Sequence, residues 1–321
     1  MEVYDVLFTD CDHENIDIET ELLNKASIRF NLQQCKTEED IIRHARNAKV
    51  LINQYAPITD KVIQNLPDLR LVVRYGVGVN NVDLESASSH GVQVCNVPDY
   101  GTQEVADHAL ALMLSLTRKI TLMNDLVRNG VWDYQKGIPI FRHSEQTVGI
   151  IGAGRIGRAF ANKVRPLGSR LLCYDPKYLQ KKEDETDFIQ FVDLRDLLAH
   201  SDVISVHCPL DTAYNLIGEA ELKMMKPASY LINVSRGGIV NEAALDKALK
   251  NKWIAGAAVD VSETEPLDKE SHLLQHDNFI CTPHMGWYSE EAAQELKRKV
   301  AEESIRFLKG VPVHYPVNEI K

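Results

Sequence analysis

The chain alternates short apolar, β-branched runs with segments whose apolar residues recur at helical spacing, almost from end to end. A first series of strand-like runs reads VYDVLFTD, SIRFNL, KVLINQ, LRLVVRYG and VQVCNVP. Helical segments such as 38–47 (EEDIIRHARN) and 83–90 (DLESASSH) lie between them. A second series reads TVGIIGAG, RLLCYDP, DVISVHCP, SYLINVS, IAGAAVDV and NFICTPH. Near-continuous apolar strands separated by helices predict parallel sheets covered on both faces. Eleven such runs are too many for one ordinary sheet, so the pattern predicts an α/β chain of two parallel-sheet domains.

The division falls near Pro98, where a long helix over 102–120 begins. Asp107 and His108 interrupt its apolar surface, and hydrogen bonding along the helix face is the plain account of them. Residues 121–146 leave the strand–helix rhythm, with Trp132, Tyr134, Ile138, Ile140 and Phe141 in a polar setting. Aromatics exposed on an irregular arm suggest a contact with a second subunit; packing on its own chain is the alternative. The last helix, over 289–310, follows the second series and can return to the first domain. The expected division is therefore 1–98 plus 289–321 against 99–288, with the arm at about 119–146.

Composition narrows the function classes. The 321 residues carry a net charge of −10, which gives no general attraction for nucleic acid. No apolar run approaches the roughly 20 residues that span a bilayer, and the N-terminus lacks the pattern of a signal peptide. The six cysteines are scattered, and five adjoin strand-like runs, so small buried thiols are expected. A cytoplasmic enzyme with neither a membrane nor a nucleic-acid partner fits this balance.

The sharpest local signal is 147–161, TVGIIGAGRIGRAFA, a strand running into G-x-G-x-x-G and then a helix. Gly152 permits the tight turn, Gly154 lets backbone approach a pyrophosphate, and Gly157 allows close helix–strand packing. The helix N-terminus then offers free N–H groups to the phosphates. The next strand ends at Asp175, about 20 residues on, where a carboxylate accepts from a ribose 2′-hydroxyl and repels a 2′-phosphate. Dinucleotide binding follows, with NAD favoured over NADP.

Three further strand-like runs end in chemistry-bearing residues: 231–245 (LINVSRGGIVNEAAL), 255–266 (AGAAVDVSETEP) and 280–287 (ICTPHMGW). Ligands of open α/β sheets lie beyond the carboxyl ends of the strands, so Arg236, Asp260, Glu265 and His284 can converge on one crevice. Hydride arriving at a carbonyl carbon leaves charge on oxygen that must be protonated. An imidazole such as His284 gives and retakes a proton near neutrality. Glu265 would raise its pKa and hold the ring, while Arg236 grips a substrate carboxylate. Asp260 is placed to accept from the nicotinamide carboxamide. Zinc is a weak idea: His272 and His276 have i, i+4 spacing without the glutamate of H-E-x-x-H, and no metal is expected.

Together these motifs, with 74–83 (RYGVGVNNVD), resemble the D-isomer-specific 2-hydroxyacid dehydrogenases over nearly the whole chain. The resemblance implies a flavodoxin-like substrate domain, a Rossmann NAD-binding domain and a homodimer joined through the latter. It implies Arg236, Glu265 and His284 as the catalytic set. Cofactor contacts are implied at Gly152, Gly154, Arg155, Ile156, Gly157, Asp175, Pro209, Val234, Arg236, Asp260, His284 and Gly286. Backbone around Val77 and Gly78 would hold a substrate carboxylate. Arg74 ahead of the glycines and Trp287 after the histidine resemble the C-terminal-binding-protein branch, in which both surround a 2-oxo acid. Trp287 would wall a pocket for the substrate tail or pack between domains. The expected activity is reversible hydride transfer between NADH and a small 2-oxo acid. The alternatives are D-3-phosphoglycerate dehydrogenase and an NAD-sensing scaffold. Asn53 and Gln54 stand where several phosphoglycerate enzymes carry an arginine, and no added regulatory domain follows residue 321. The stretch 208–217 (CPLDTAYNLI) is one residue shorter than the family's usual loop, which puts Thr212 in doubt.

Overall fold

The computed structural model describes residues 4–179 and 188–320. It resolves into two compact units, one made of Met1–Gly101 with Ser289–Lys321 and the other of Thr102–Tyr288.

The first unit is built on strands β1 (Val6–Phe8), β2 (Phe30–Leu32), β3 (Val50–Asn53), β4 (Leu71–Arg74) and β5 (Gln93–Cys95). All pair in parallel in the order β2-β1-β3-β4-β5, the flavodoxin-like order. Every residue of β1, β3 and β5 is buried, as helices on both faces require. The helix Glu290–Leu308 returns to this unit and packs against the helix Asp17–Lys25, burying Leu296, Val300 and Ala301. Its start is set by Ser289, whose hydroxyl accepts from the Ala292 N–H at 2.9 Å.

The second unit carries β6 (Thr147–Ile151), β7 (Arg170–Tyr174), β8 (Ile189–Phe191), β9 (Val203–Val206), β10 (Tyr230–Asn233), β11 (Gly256–Val259) and β12 (Phe279–Cys281). Their order is β12-β11-β10-β9-β6-β7-β8, again all parallel. This is the doubly wound Rossmann order with a seventh strand, and it reverses direction between β6 and β9. Register then aligns the chemistry. Asn233 pairs with Val259 and Val259 with Cys281, so β10, β11 and β12 end level and release their loops at one edge.

Several local expectations need correction. The strand β8 escaped the sequence pattern: its three residues, Ile-Gln-Phe, are interrupted by an exposed glutamine and only Ile189 is fully buried. The helix expected over 102–120 stops at Thr117, and Lys119 adopts φ 56°. A second helix, Ile120–Arg128, then occupies part of the segment expected to be irregular. The arm aromatics are nevertheless open to solvent, Trp132 at 89% and Tyr134 at 78%. Of the cysteines, Cys11, Cys35, Cys95 and Cys173 are buried, but Cys281 is exposed because β12 is an edge strand. No helix among the described residues is long and apolar enough to cross a membrane.

Candidate active site

The glycine turn follows β6 at the switch point. Gly152 has φ 102°, and a Cβ there would meet the His207 carbonyl oxygen at 2.7 Å. Gly157 is tighter still, since a Cβ would stand 2.0 Å from the Gly152 oxygen, and this lets the helix Arg155–Val164 start directly against the strand. Gly154 is the converse, with nothing within 4 Å of its virtual Cβ. That open approach, and a helix start at Arg155 and Ile156 that no described side chain caps, suit a diphosphate. Asp175, at the end of β7, accepts the Ala153 N–H at 2.9 Å and so ties the carboxylate to the turn. Pro209 is exposed beyond β9, and a 3-10 turn Leu210–Thr212 follows it. The residues present therefore fit a dinucleotide.

Beyond β10, Asn233 organises the next loop. Its amide donates to the Arg236 carbonyl at 2.9 Å, and its oxygen accepts the Ser235 N–H at 3.1 Å. Val234 is buried, and the Arg236 guanidinium rests on the Ser235 carbonyl at 2.7 Å. A Cβ on Gly237 would fall 1.9 Å from the Ser262 oxygen, so only glycine lets this loop lie against the loop after β11.

His284 sits in the left-handed region at φ 51°, a conformation sparsely populated outside glycine, asparagine, aspartate and histidine. Two contacts hold it there. Its N–H donates to the Asp260 carbonyl at 2.8 Å and to the Thr282 carbonyl at 3.0 Å. The Asp260 side chain, 3% exposed, grips the rest of the turn. It accepts from the Thr282 hydroxyl at 2.6 Å, the Met285 N–H at 3.0 Å and the Gly286 N–H at 2.8 Å. Burial alone would raise its pKa, but these donors and His108 outweigh burial and hold it below the usual value. A Cβ on Gly286 would stand 2.9 Å from the Asp260 carboxylate, so this position too needs glycine.

The imidazole of His284 meets Glu265 through Nδ1, 2.7 Å from Oε2. The other carboxylate oxygen accepts the Ser262 N–H at 3.1 Å. Burial pushes the Glu265 pKa up; the hydrogen bond and charge of His284, the Ser262 N–H and the Arg236 charge overcome this and leave it lowered. Glu265 is thus an ionised acceptor, and Nδ1 must carry the proton it donates. The other ring nitrogen, Nε2, is left for exchange with a ligand. Sequence reasoning named Arg236, Asp260, Glu265 and His284, and the structure brings all four together at one edge of the second sheet. Trp287 follows in the same unit, half-buried, its ring edge-on to Tyr288 at 5.4 Å.

Arg74, Val77 and Gly78 belong to the first unit, at the end of β4 and in the loop after it. The Val77 carbonyl accepts the Asn96 amide at 2.7 Å, and its side chain is exposed. Nearby, Asp10 at the end of β1 gathers the loop after β3, accepting from the backbone N–H of Gln54 at 3.1 Å and of Ala56 at 3.2 Å.

Two site residues were missed or underread. Gly237 was passed over as part of the arginine motif, though the doubled glycine there was the available signal. His108 was assigned to its own helix face, yet its Nε2 lies 2.9 Å from Thr282 Oγ1 and 3.4 Å from Asp260 Oδ1. Its neighbour Asp107 also reaches off its own helix, pairing with Lys163 of the helix Arg155–Val164 at 2.9 Å. No group of three or more His, Cys, Asp and Glu among the described residues is arranged to hold a metal ion.

Comparison with known proteins agrees with this geometry. The family model for the NAD-binding domain of D-isomer specific 2-hydroxyacid dehydrogenases matches residues 110–286. A glyoxylate reductase of Korarchaeum cryptofilum is 36% identical over 301 residues, covering 90% of this chain and 90% of its own. A D-3-phosphoglycerate dehydrogenase of Archaeoglobus fulgidus is 35% identical over 298 residues, or 92% of this chain, but the chain spans only 56% of that relative's length. Among solved structures, the D-lactate dehydrogenase of Aquifex aeolicus complexed with NAD and lactic acid superposes with a TM-score of 0.86 at 26% identity, covering 95% of this chain and 96% of that one.

Proposed function

The chain belongs to the D-isomer specific 2-hydroxyacid dehydrogenases, a family of NAD-dependent oxidoreductases, and we propose that it interconverts a small 2-oxo acid and its D-2-hydroxy acid. The observation that carries this reading is the 2.7 Å contact between His284 and ionised Glu265, at the edge where the glycine turn prepares a dinucleotide site. Bound NADH supplies the hydride. The protein's own residues manage the proton and the substrate.

Nδ1 of His284 is committed to Glu265, so Nε2 is the nitrogen that hands a proton to the carbonyl oxygen in reduction and takes it back in oxidation. Glu265 fixes the ring's orientation and balances the positive charge of the protonated imidazole. Arg236 binds the substrate carboxylate and polarises the neighbouring carbonyl. The left-handed turn aims the ring, and its backbone is pinned twice so that orientation costs little when substrate arrives. Gly152, Gly154, Arg155, Ile156, Gly157 and Asp175 take the diphosphate and adenosine ribose, and Pro209 borders the adenine. Val234, Asp260 and Gly286 border the nicotinamide. Arg74, the backbone at Val77 and Gly78, and Trp287 complete the substrate's contacts. The first unit is the substrate domain, and the exposed arm around Trp132 and Tyr134 joins two copies into a homodimer. We place the enzyme in the cytoplasm.

An unphosphorylated substrate is favoured by the first unit's own chemistry. Asn53 is buried and spends its amide on Thr9, Asp10 and Ala56, while Gln54 bonds to Asp12. The loop after β3 therefore brings a phosphate no cation of its own, and its polar side chains are already spent on Asp10 and Asp12; the cation beside it is Arg74, level with Asn53 on the next strand. The test is a panel of 2-oxo acids with NADH, from glyoxylate through branched acids to 3-phosphohydroxypyruvate, ranked by kcat/KM. Turnover of unphosphorylated acids is expected. Tight NADH binding without turnover of any acid would reject the reading in favour of an NAD-sensing scaffold.

A further inference from the structure

We infer that His108 is a positioning residue for this reaction, setting the turn that carries His284 from a helix remote in sequence. The inference rests on His284 being the acid/base. His108 belongs to the helix Thr102–Thr117, and 174 residues separate it from Thr282, the side chain it meets.

The direction of each hydrogen bond follows from what the groups can do. Asp260 is ionised and can only accept. The Thr282 hydroxyl, 2.6 Å away, must therefore point its proton at Asp260. Its oxygen is then an acceptor toward His108 Nε2 at 2.9 Å, so Nε2 carries a hydrogen in every protonation state of that ring. The same N–H reaches Asp260 Oδ1 at 3.4 Å. His108 thus donates to Thr282 and stands within 3.4 Å of Asp260, the two members of the pair that grips the turn. Its ring also closes over the turn, with Cδ2 3.2 Å from the virtual Cβ of Gly286.

The consequence falls on orientation. Asp260 holds the Met285 and Gly286 N–H groups with its side chain and the His284 N–H with its carbonyl. Those bonds keep a non-glycine residue at φ 51°. Without the His108 donor, the Thr282 hydroxyl and the Asp260 carboxylate lose a common anchor, and the turn relaxes toward ordinary backbone. A displacement of about 1 Å in a catalytic group costs on the order of 100-fold in rate. Glutamine can place its amide nitrogen where Nε2 stands, whereas alanine leaves the site without a donor.

The experiment compares full-length wild type with His108→Ala and His108→Gln. The readouts are steady-state kinetics, NADH affinity and hydrogen–deuterium exchange of the peptide spanning 282–288. For His108→Ala, kcat should fall roughly 10- to 100-fold while the NADH dissociation constant moves less than about threefold. Exchange in 282–288 should quicken at least about tenfold. His108→Gln should restore both to within about threefold of wild type. Unchanged exchange in His108→Ala, or a glutamine variant as impaired as the alanine one, overturns the inference. If wild type itself turns over no 2-oxo acid, the proposed function fails and the exchange comparison still decides whether His108 orders the turn. Should His108→Ala not fold, Thr282→Val breaks the same relay, and wild-type exchange and turnover in that variant would refute it.

Discussion

Replacing Glu265 with glutamine is the most informative perturbation of the site, because it changes charge with almost no change of shape. The carboxylate now serves two donors, His284 Nδ1–H at 2.7 Å and the Ser262 N–H at 3.1 Å. An amide has one oxygen and cannot serve both. With that oxygen on Ser262, its NH2 faces Nδ1 and forces the ring into the tautomer that has its hydrogen on Nε2. With the oxygen on Nδ1, two N–H groups confront each other at Ser262. Either way the negative charge beside the imidazole is gone.

A hydrogen bond to a charged group contributes about 1.5–3 kcal/mol and a neutral one about 0.5–1.5 kcal/mol. Both side chains are some 40% exposed, at 39% for His284 and 40% for Glu265, so solvent screening discounts the difference. A loss of about 1–2 kcal/mol remains, or roughly 5- to 30-fold in kcat. The assay is NADH consumption with the best acid of the panel, alongside NADH titration by fluorescence, which should be unaffected. Glu265→Gln should add nothing in a His284→Ala background, because the two act as a unit. The account fails if Glu265→Gln retains wild-type kcat, or if its penalty persists undiminished without His284.

Other positions give independent tests. Gly157→Ala drives a Cβ to within 2.0 Å of the Gly152 oxygen, so NADH affinity should fall on the order of 100-fold or more, or soluble protein should be lost; normal binding would contradict the packing argument. Asp175→Ala removes both the repulsion of a 2′-phosphate and the bond to the Ala153 N–H, and should raise the NADPH-to-NADH ratio of kcat/KM by roughly tenfold. Asp260 has a folded pKa below its ordinary 3.8, so the unfolded chain takes up its proton first as pH falls. The stability it contributes is complete above the unfolded value and is lost as pH drops through the folded one. Melting temperature should therefore fall in acid below about pH 4, with a shallower fall in Asp260→Asn, which starts about 2–3 kcal/mol less stable. Paired substitution of Trp132 with glutamate and Ile138 with aspartate should halve the sedimenting mass if the exposed arm joins two copies.

What the sequence disclosed, and what it hid, divides along a physical line. Both sheets were legible because buried parallel strands are apolar along their length, and five of the seven strands in the second sheet run four or five residues. β8 carries too little of that signal, with an exposed glutamine at its centre and only Ile189 fully buried. The glycine turn was legible because its demands are local: φ 102° at Gly152, and a helix starting at Arg155 whose Gly157 must pass close to the Gly152 carbonyl. Arg236, Glu265 and His284 announced themselves as reactive types at strand ends. Their supports did not. Asp260 was read as an acceptor for the cofactor, and in the folded chain the same carboxylate also accepts from Thr282, Met285 and Gly286. That turn-shaping role left no mark in the sequence. His108 lay in a helix whose periodicity gave no reason to look 174 residues away. Residues that act through their own backbone turn leave a spacing in the sequence. Those that act through a contact between distant elements leave only an odd polar residue on an apolar face. In an α/β chain of this kind, such a residue near the carboxyl edge of the sheet is best read as a support for the site, with hydrogen bonding along its own helix face as the second choice.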